Sequence, residues 1–375
     1  MFKEDDFIQD LKKLTSIDCG TQNVAGVNKI ADTLEVIFKD YLNFHVKRIT
    51  VSKEAGDVII ATNKKDAETF DVLLLAHMDT VYPNIAAENP LKIDNGKAYG
   101  LGSLDMKSGL LQGIYALKGL DKKDLDSLSV CFLCNPDEEI GSVYSEDTIV
   151  KYAKKSKCAL ILESSETSTS LVNSRYGIAR MQASFKGKAA HGSTPELGIS
   201  AIYELANFTS KVSKFHNKKE DIIVNVGTVE GGATINVVPE KATLGFEVRF
   251  TNVNTYKKVL KQIEDLAATP SLQGANITIE VLSFKPPLNN SPEHTWLEKI
   301  ALDSCKSVGL KGFSFVSSAG GSDGNITSYY AKIPTLDGLG PVGKGFHNKD
   351  EEHIELASVP TRINLLQHIL LQLSK

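Results

Sequence analysis

The sequence predicts an α/β protein whose main domain is interrupted by a smaller α+β segment. Three observations lead there. Helical and strand-like patterns alternate through the first half; the middle runs strand, helix, strand, strand, helix, strand; and the alternation resumes after Lys285-Pro-Pro. At 375 residues the chain is long for one ordinary domain and suits two, or one large domain with an insertion.

The elements follow in order. Residues 4–14 and 24–40 have apolar residues at helical spacing, and Asp57–Thr62 and Val72–Ala76 read as strands. A helix is predicted over Ser108–Leu120, a strand over Ser129–Asn135, a helix over Ser145–Lys154 and a strand over Cys158–Leu162. Strands alternating with helices predict a mostly parallel sheet, and in such sheets functional residues collect beyond the carboxyl ends of the strands. Next come strand Gly177–Lys188, helix Ile199–Phe215, strands Ile222–Val229 and Lys241–Phe250, helix Val253–Ala268 and strand Asn276–Leu282. That order is the signature of a ferredoxin-like sandwich. An inserted domain is therefore expected at 177–285, leaving 1–176 and 286–375 as the main domain. The main domain closes with a helix at Thr295–Val308, a strand at Gly312–Val316 and a helix at Ser358–Leu373.

Bulk properties exclude several classes. Hydrophobic residues make up 42% and charged residues 23%, so a substantial core can form and no stretch reads as disordered. A net charge of -4 argues against a nucleic-acid partner, and lysine doublets such as Lys122-Lys123 are scattered as solvated surface would be. The start, Met1-Phe-Lys-Glu-Asp-Asp, lacks the apolar core of a signal peptide, and no run approaches the roughly 18 apolar residues of a membrane span. Five cysteines is an odd number. Cys131 and Cys134 form a C-x-x-C pair, but inside an apolar run where, three residues apart on a strand, they would face opposite sides. Buried structural thiols and a cytoplasmic protein are expected.

Five segments carry chemistry. Leu73-Leu-Leu-Ala-His77-Met-Asp79 ends an apolar strand on a His followed by an Asp. A lone His there is commonly structural, but a metal-bound imidazole normally has its other nitrogen fixed by a carboxylate, which Asp79 could supply. Gly100-Leu-Gly-Ser-Leu-Asp105-Met-Lys-Ser-Gly delivers an Asp to the start of a helix, where it reads as a helix cap or a ligand. Cys134-Asn-Pro-Asp137-Glu138-Glu139-Ile-Gly141 places three acids directly after a strand. A solvated acidic turn would do this, but so would a dication site in which one carboxylate ligates and its neighbour acts as general base. Ala159-Leu-Ile-Leu-Glu163 ends another strand on a carboxylate, and Gly345-Phe-His347 sets a His in a Gly-containing loop before the last helix. Two imidazoles and three carboxylates suit zinc, or else cobalt or manganese. One bridging carboxylate would give two ions three protein ligands each.

In this order the segments resemble the aminoacylase/glutamate carboxypeptidase family of di-zinc metallopeptidases, and the likeness covers nearly the whole chain. The resemblance implies that His77 and Glu163 hold one zinc and Glu139 and His347 the other, with Asp105 bridging and followed by a cis peptide bond. Glu138 would be the general base, and Asp79 would clamp His77. The inserted domain would be a lid through which a homodimer forms. Its Lys188-Ala-Ala-His191-Gly-Ser-Thr-Pro turn resembles the family turn whose His polarises the scissile carbonyl in a dimer-related site. That segment also reads as a capping turn with an incidental His.

Asn236 in Ala-Thr-Ile-Asn-Val-Val-Pro, Arg249 in Phe-Glu-Val-Arg-Phe, and Gly321 and Ser322 in Gly-Gly-Ser-Asp-Gly match substrate-binding positions. Arg249 could pair bidentately with a carboxylate, or point to solvent from an alternating strand. Ser322 departs from the commoner Thr, and Ser164-Ser165 stand where Pro is frequent, which leaves substrate identity open. Glu163 suits the carboxypeptidase and deacylase branches better than the tripeptidase branch, where Asp is usual. The resemblance therefore implies cleavage of an amide bond beside a free carboxylate, in a small peptide or an N-acyl amino acid. An N-acyl amino acid deacylase or a di/tripeptidase is the neighbouring reading. A metal-free binding protein on the same fold is the reading from another class.

Overall fold

Residues 2–165 and 167–375 are described in the computed structural model. Amphipathic helices α1 (Glu4–Thr15) and α2 (Val24–Leu42) each bury one stripe: Phe7, Leu11 and Leu14 in α1, and Val27, Ile30 and Leu34 in α2. Strands β1 (His45–Thr50), β2 (Asp57–Thr62) and β3 (Val72–His77) follow, then the short β4 (Lys92–Asp94) and β5 (Lys97–Tyr99). Helices α3 (Ser108–Lys118) and α4 (Lys122–Ser127), strand β6 (Val130–Asn135), helix α5 (Glu146–Ala153) and strands β7 (Ala159–Ile161) and β8 (Ser170–Arg175) complete this run.

The insertion contributes β9 (Gly177–Lys186), β10 (Ala190–His191), α6 (Ala201–Val212), β11 (Ile222–Gly231), β12 (Val237–Val238), β13 (Lys241–Phe250), α7 (Val253–Ala268) and β14 (Asn276–Lys285). The chain then adds β15 (Leu288–Asn289), α8 (Thr295–Ser307), β16 (Ser314–Ser318), α9 (Gly324–Tyr329), β17 (Thr335–Leu336), β18 (Gly343–Lys344), β19 (His353–Glu355) and α10 (Ser358–Leu373).

The chain forms two compact units, one of Met1–Ser174, Leu288–Ser318 and Ser322–Lys375, the other of Arg175–Pro287 with Ala319–Gly321. In the first, the central sheet runs β1-β2-β6-β3-β7-β17. From β6 to β17 neighbours are parallel, whereas β1/β2 and β2/β6 are antiparallel, so the sheet is mixed. Every residue of β3, β6 and β7 is buried, as expected of strands covered on both faces. Side chains alternate between two cores: Leu74 and Phe132 pack on the face covered by α1, α2, α3 and α10, and Leu73 and Leu133 on the face covered by α5. Cys131 and Cys134 likewise belong to opposite cores, and all five cysteines are free and buried.

Helix α3 is buried along nearly its whole length. Gly109 permits this, since a Cβ there would lie 1.9 Å from the Leu162 carbonyl oxygen. The predicted strand at Gly312–Val316 forms at Ser314–Ser318, in a separate sheet ordered β15-β8-β16. A further small sheet, β18-β19-β5-β4, pairs His353 with both Tyr99 and Lys344.

The second unit is an antiparallel sheet in the order β11-β13-β9-β14, whose inner face packs with α6 and α7 in a core containing Phe185, Phe208, Phe246 and Phe250. Strands β9 and β13 alternate buried and partly exposed residues, the pattern of a sheet covered on one face. No helix among the described residues is long and apolar enough to cross a membrane.

Candidate metal centre

The five candidate ligands lie where the backbone leaves an element of the first unit. His77 ends β3, Glu139 sits in the turn after β6, Glu163 lies just beyond β7, Asp105 is in the loop before α3, and His347 is in the β18–β19 loop. Parallel β3, β6 and β7 all end on one edge, so three of these side chains arrive together without any local sequence relation. Asp105 does not cap α3; it belongs to the irregular segment Ser103–Lys107, and its peptide bond to Met106 is cis.

The side chains converge around Asp105. His77 Nε2 is 3.1 Å from Asp105 Oδ1 and 3.7 Å from Glu163 Oε1. His347 Nε2 is 3.1 Å from Asp105 Oδ2 and 3.5 Å from Glu139 Oε2. Each Asp105 oxygen therefore faces a separate His and carboxylate pair. Donor atoms of His77, Asp105 and Glu139 all lie within 4.8 Å of one another. Glu139 Oε1 is buried with no hydrogen-bond partner among the described residues, an orphan that a cation would satisfy. The donor set and this orphan fit a dication site.

Crowding shifts the protonation of these side chains. Burial would depress His77, but its hydrogen bonds to Asp105 and Asp79 outweigh this and hold the imidazolium well above its ordinary range. Burial would raise Asp105, yet His347 and His77 keep its carboxyl well below. Burial pushes Glu139 up to about 7 and, reinforced by Asp105, pushes Glu163 well above the carboxylate range. Hydrogen bonds to Asp105 and Glu139 lift His347 to about 10.

Asp79 organises the surroundings from a buried position, only 1% exposed. His77 Nδ1 donates toward the Asp79 carbonyl at 3.0 Å and lies 3.3 Å from its Oδ1. The same carboxylate accepts the backbone N–H groups of Glu138 and Glu139 at 3.1 and 3.2 Å and the Thr21 hydroxyl at 2.7 Å. One side chain thus holds both the His77 ring and the turn carrying Glu138. Asp323 braces that turn from the other side, accepting from Asn135 at 2.7 Å and from the Ser142 hydroxyl.

Three residues around the ligands have roles that their sequence context does not show: Thr21, Ser164, whose hydroxyl donates to the Leu104 carbonyl, and Glu352, which accepts backbone N–H groups around Asp105. The only local sign of Glu352 was its place in the acid run Asp350-Glu-Glu352.

The remaining candidates are placed as follows. In the second unit, His191 pairs with Val237 across the β10–β12 ribbon, and Gly192 N–H donates to the Asn236 carbonyl, so His191 and Asn236 are neighbours there. His191 is exposed, with Nδ1 bonded to the Ser193 hydroxyl at 2.7 Å. Arg249 donates from Nε to Glu247 and from Nη1 to the Ala319 carbonyl, each at 2.8 Å. Gly321 belongs to the same unit. Ser322, in the first unit, is fully buried; its hydroxyl accepts the Gly324 N–H at 3.0 Å and donates to Asp337, so it braces its own loop and ties it to the segment after β17.

Comparison with known proteins gives a consistent picture. Residues 73–372 match the sequence pattern of Peptidase family M20/M25/M40. The chain is 30% identical to carboxypeptidase G2 of Pseudomonas sp. (strain RS-16), over 98% of this chain and 89% of that relative. In fold it is similar to an M20 family metallo-carboxypeptidase from Sulfolobus solfataricus, with a TM-score of 0.80, 19% identity and 100% of both chains covered. A tripeptidase from Staphylococcus aureus is similar as well, with a TM-score of 0.80 and 24% identity, covering 100% of this chain and 99% of that one.

Proposed function

The chain belongs to peptidase family M20/M25/M40, and from that premise we propose that it hydrolyses an amide bond beside a free carboxylate, in a short peptide or an N-acyl amino acid, using two zinc ions. The observation that carries this reading is the split presentation of Asp105, one oxygen toward His77 and Glu163 and the other toward His347 and Glu139. His77, Asp105 and Glu163 would hold one ion and Glu139, Asp105 and His347 the other; cobalt or manganese would suit the same donors. When bound, such ions lower the pKa of a water to near neutrality and polarise a carbonyl.

The protein's own residues do the rest. Glu138 accepts the proton from the attacking water and returns it to the leaving amine. Asp79 fixes the backbone N–H of Glu138 at 3.1 Å, holding the base in register with His77. His191, supplied by the partner chain of a homodimer formed through the inserted unit, hydrogen-bonds the carbonyl oxygen as charge develops on it. Arg249 and Asn236 orient the substrate, and Gly321 gives its carboxylate room. Arg249 uses Nε on Glu247 and one Nη1 hydrogen on Ala319, so a bidentate grip on substrate would come from Nη2 and the second Nη1 hydrogen.

The relative named carboxypeptidase G2 supports the carboxypeptidase reading over an N-acyl amino acid deacylase or a di/tripeptidase. Turnover of N-acyl amino acids and short peptides, measured with added zinc, cobalt or manganese, separates these. Glu138→Ala is expected to lower kcat by about 10²–10⁴-fold while bound metal, measured by elemental analysis, stays unchanged. Near-normal turnover by that variant would sink the base assignment. A purified protein that retains no metal after reconstitution would favour a metal-free binding protein on this fold.

A further inference from the structure

We propose that Glu352 is a positioning residue that locks the Asp105 loop and the His347 loop into one rigid frame. The proposal rests on the reading of Asp105 and His347 as metal ligands. Glu352 is 1% exposed, yet no cationic side chain forms an ion pair with it among the described residues. Its carboxylate is filled by the loop that presents Asp105. Oε2 accepts the Gly102 N–H at 3.0 Å and the Tyr82 hydroxyl at 2.6 Å, and Oε1 accepts the N–H groups of Leu104 and Asp105 at 2.8 and 3.1 Å. Gly102 has a φ of +67°, and this left-handed turn helps three backbone N–H groups converge on one anion.

The other half of the frame is covalent. Glu352 closes the loop that carries His347: its own N–H donates to the Asn348 carbonyl at 2.8 Å, and its carbonyl accepts the Gly100 N–H at 3.2 Å. Strand β19, which begins at the next residue, pairs with β18 before the His347 loop and with β5 before the Asp105 loop. The His347 loop runs from β18 into β19, the Asp105 loop leaves β5, and β19 lies between those two strands, so Glu352 sits at the junction of the two loops. A carboxylate is required there. Both oxygens accept two donors, and an amide would turn an N–H₂ group against two of them.

The test compares wild type, Glu352→Gln and Tyr82→Phe. Zinc affinity is titrated against a chromophoric chelator, and amide hydrogen exchange is followed across residues 102–105 of the metal-free protein. Glu352→Gln is expected to weaken zinc binding by about 10–100-fold and to speed exchange at Gly102 and Leu104. Tyr82→Phe, which removes one of the four bonds, shifts both readouts in the same direction by less. A merely structural role would lower the melting temperature without changing zinc affinity, and that outcome overturns the proposal. If Glu352→Gln does not fold, Tyr82→Phe decides, and unchanged affinity in it overturns the proposal too. A wild type that binds no zinc would instead defeat the reading of Asp105 and His347 as ligands, and exchange in Glu352→Gln would still report whether the carboxylate holds the loop.

Discussion

Asp79 satisfies two backbone N–H groups, the Thr21 hydroxyl and the His77 ring from a fully buried position, so its removal orphans several donors at once. Each buried donor left unpaired costs about 1–3 kcal/mol. Asp79→Ala is expected to lower zinc affinity or turnover by about 10–100-fold, in the range for groups that orient metal-bound histidines. Thr21→Val, which removes one bond, should lower it by less; equal effects would mean that the carboxylate acts only through the fold. Protonation gives a second prediction. His347 at about 10 and Glu139 at about 7 hold protons in the metal-free protein, and both must release them to ligate. Metal affinity should therefore fall as pH is lowered from about 10, where His347 takes up its proton, and more steeply below about 7, where Glu139 does too. Titration calorimetry in two buffers of different ionisation enthalpy reads the released protons, and identical heats would contradict this.

The turns and helices set how far these side chains can stray. Gly109 brings α3 against the Leu162 carbonyl, one residue before Glu163, so any side chain there pushes a ligand-bearing segment away from the Asp105 loop. Gly109→Val should destabilise the protein by about 1–3 kcal/mol or more, seen as a lower midpoint in urea unfolding. It should also weaken metal binding; lost stability with intact affinity would show that the strand end tolerates the shift.

The elements legible in the sequence were those whose environment leaves a local pattern. Strands β3 and β6 lie in continuous apolar runs because both faces are covered, and the alternation in β13 reports a single covered face. Strand β1 was not legible: it is an edge strand whose exposed and half-buried residues include Lys47 and Arg48. Thr21 and Glu352 were invisible for a different reason. Their partners lie 58 and 250 residues away, at Asp79 and Gly102, and no periodicity encodes a hydrogen bond of that span.

For the molecule as a whole, the sequence order of the second unit anticipated its sheet, since strand, helix, strand, strand, helix, strand closes into the order β11-β13-β9-β14. The three residues Ala319–Gly321 join that unit from a distant part of the chain, and nothing local foretold it. At this scale the proposed mechanism makes a further prediction. If His191 acts on the partner's substrate, His191→Ala and Glu138→Ala should each be nearly inactive alone, yet a mixture allowed to exchange subunits should regain turnover. Failure to regain it, with exchange verified by differently tagged subunits, would place His191 outside the reaction.

The cysteines have a use of their own. All five are buried, and burial pushes the Cys131, Cys134 and Cys158 thiols well above their ordinary range, so native thiols will be slow toward alkylating dyes. A cysteine placed at an exposed position such as Leu197 would then be the one fast-labelling handle, and fluorescent reporters of the inserted unit could be attached without first stripping the natural thiols.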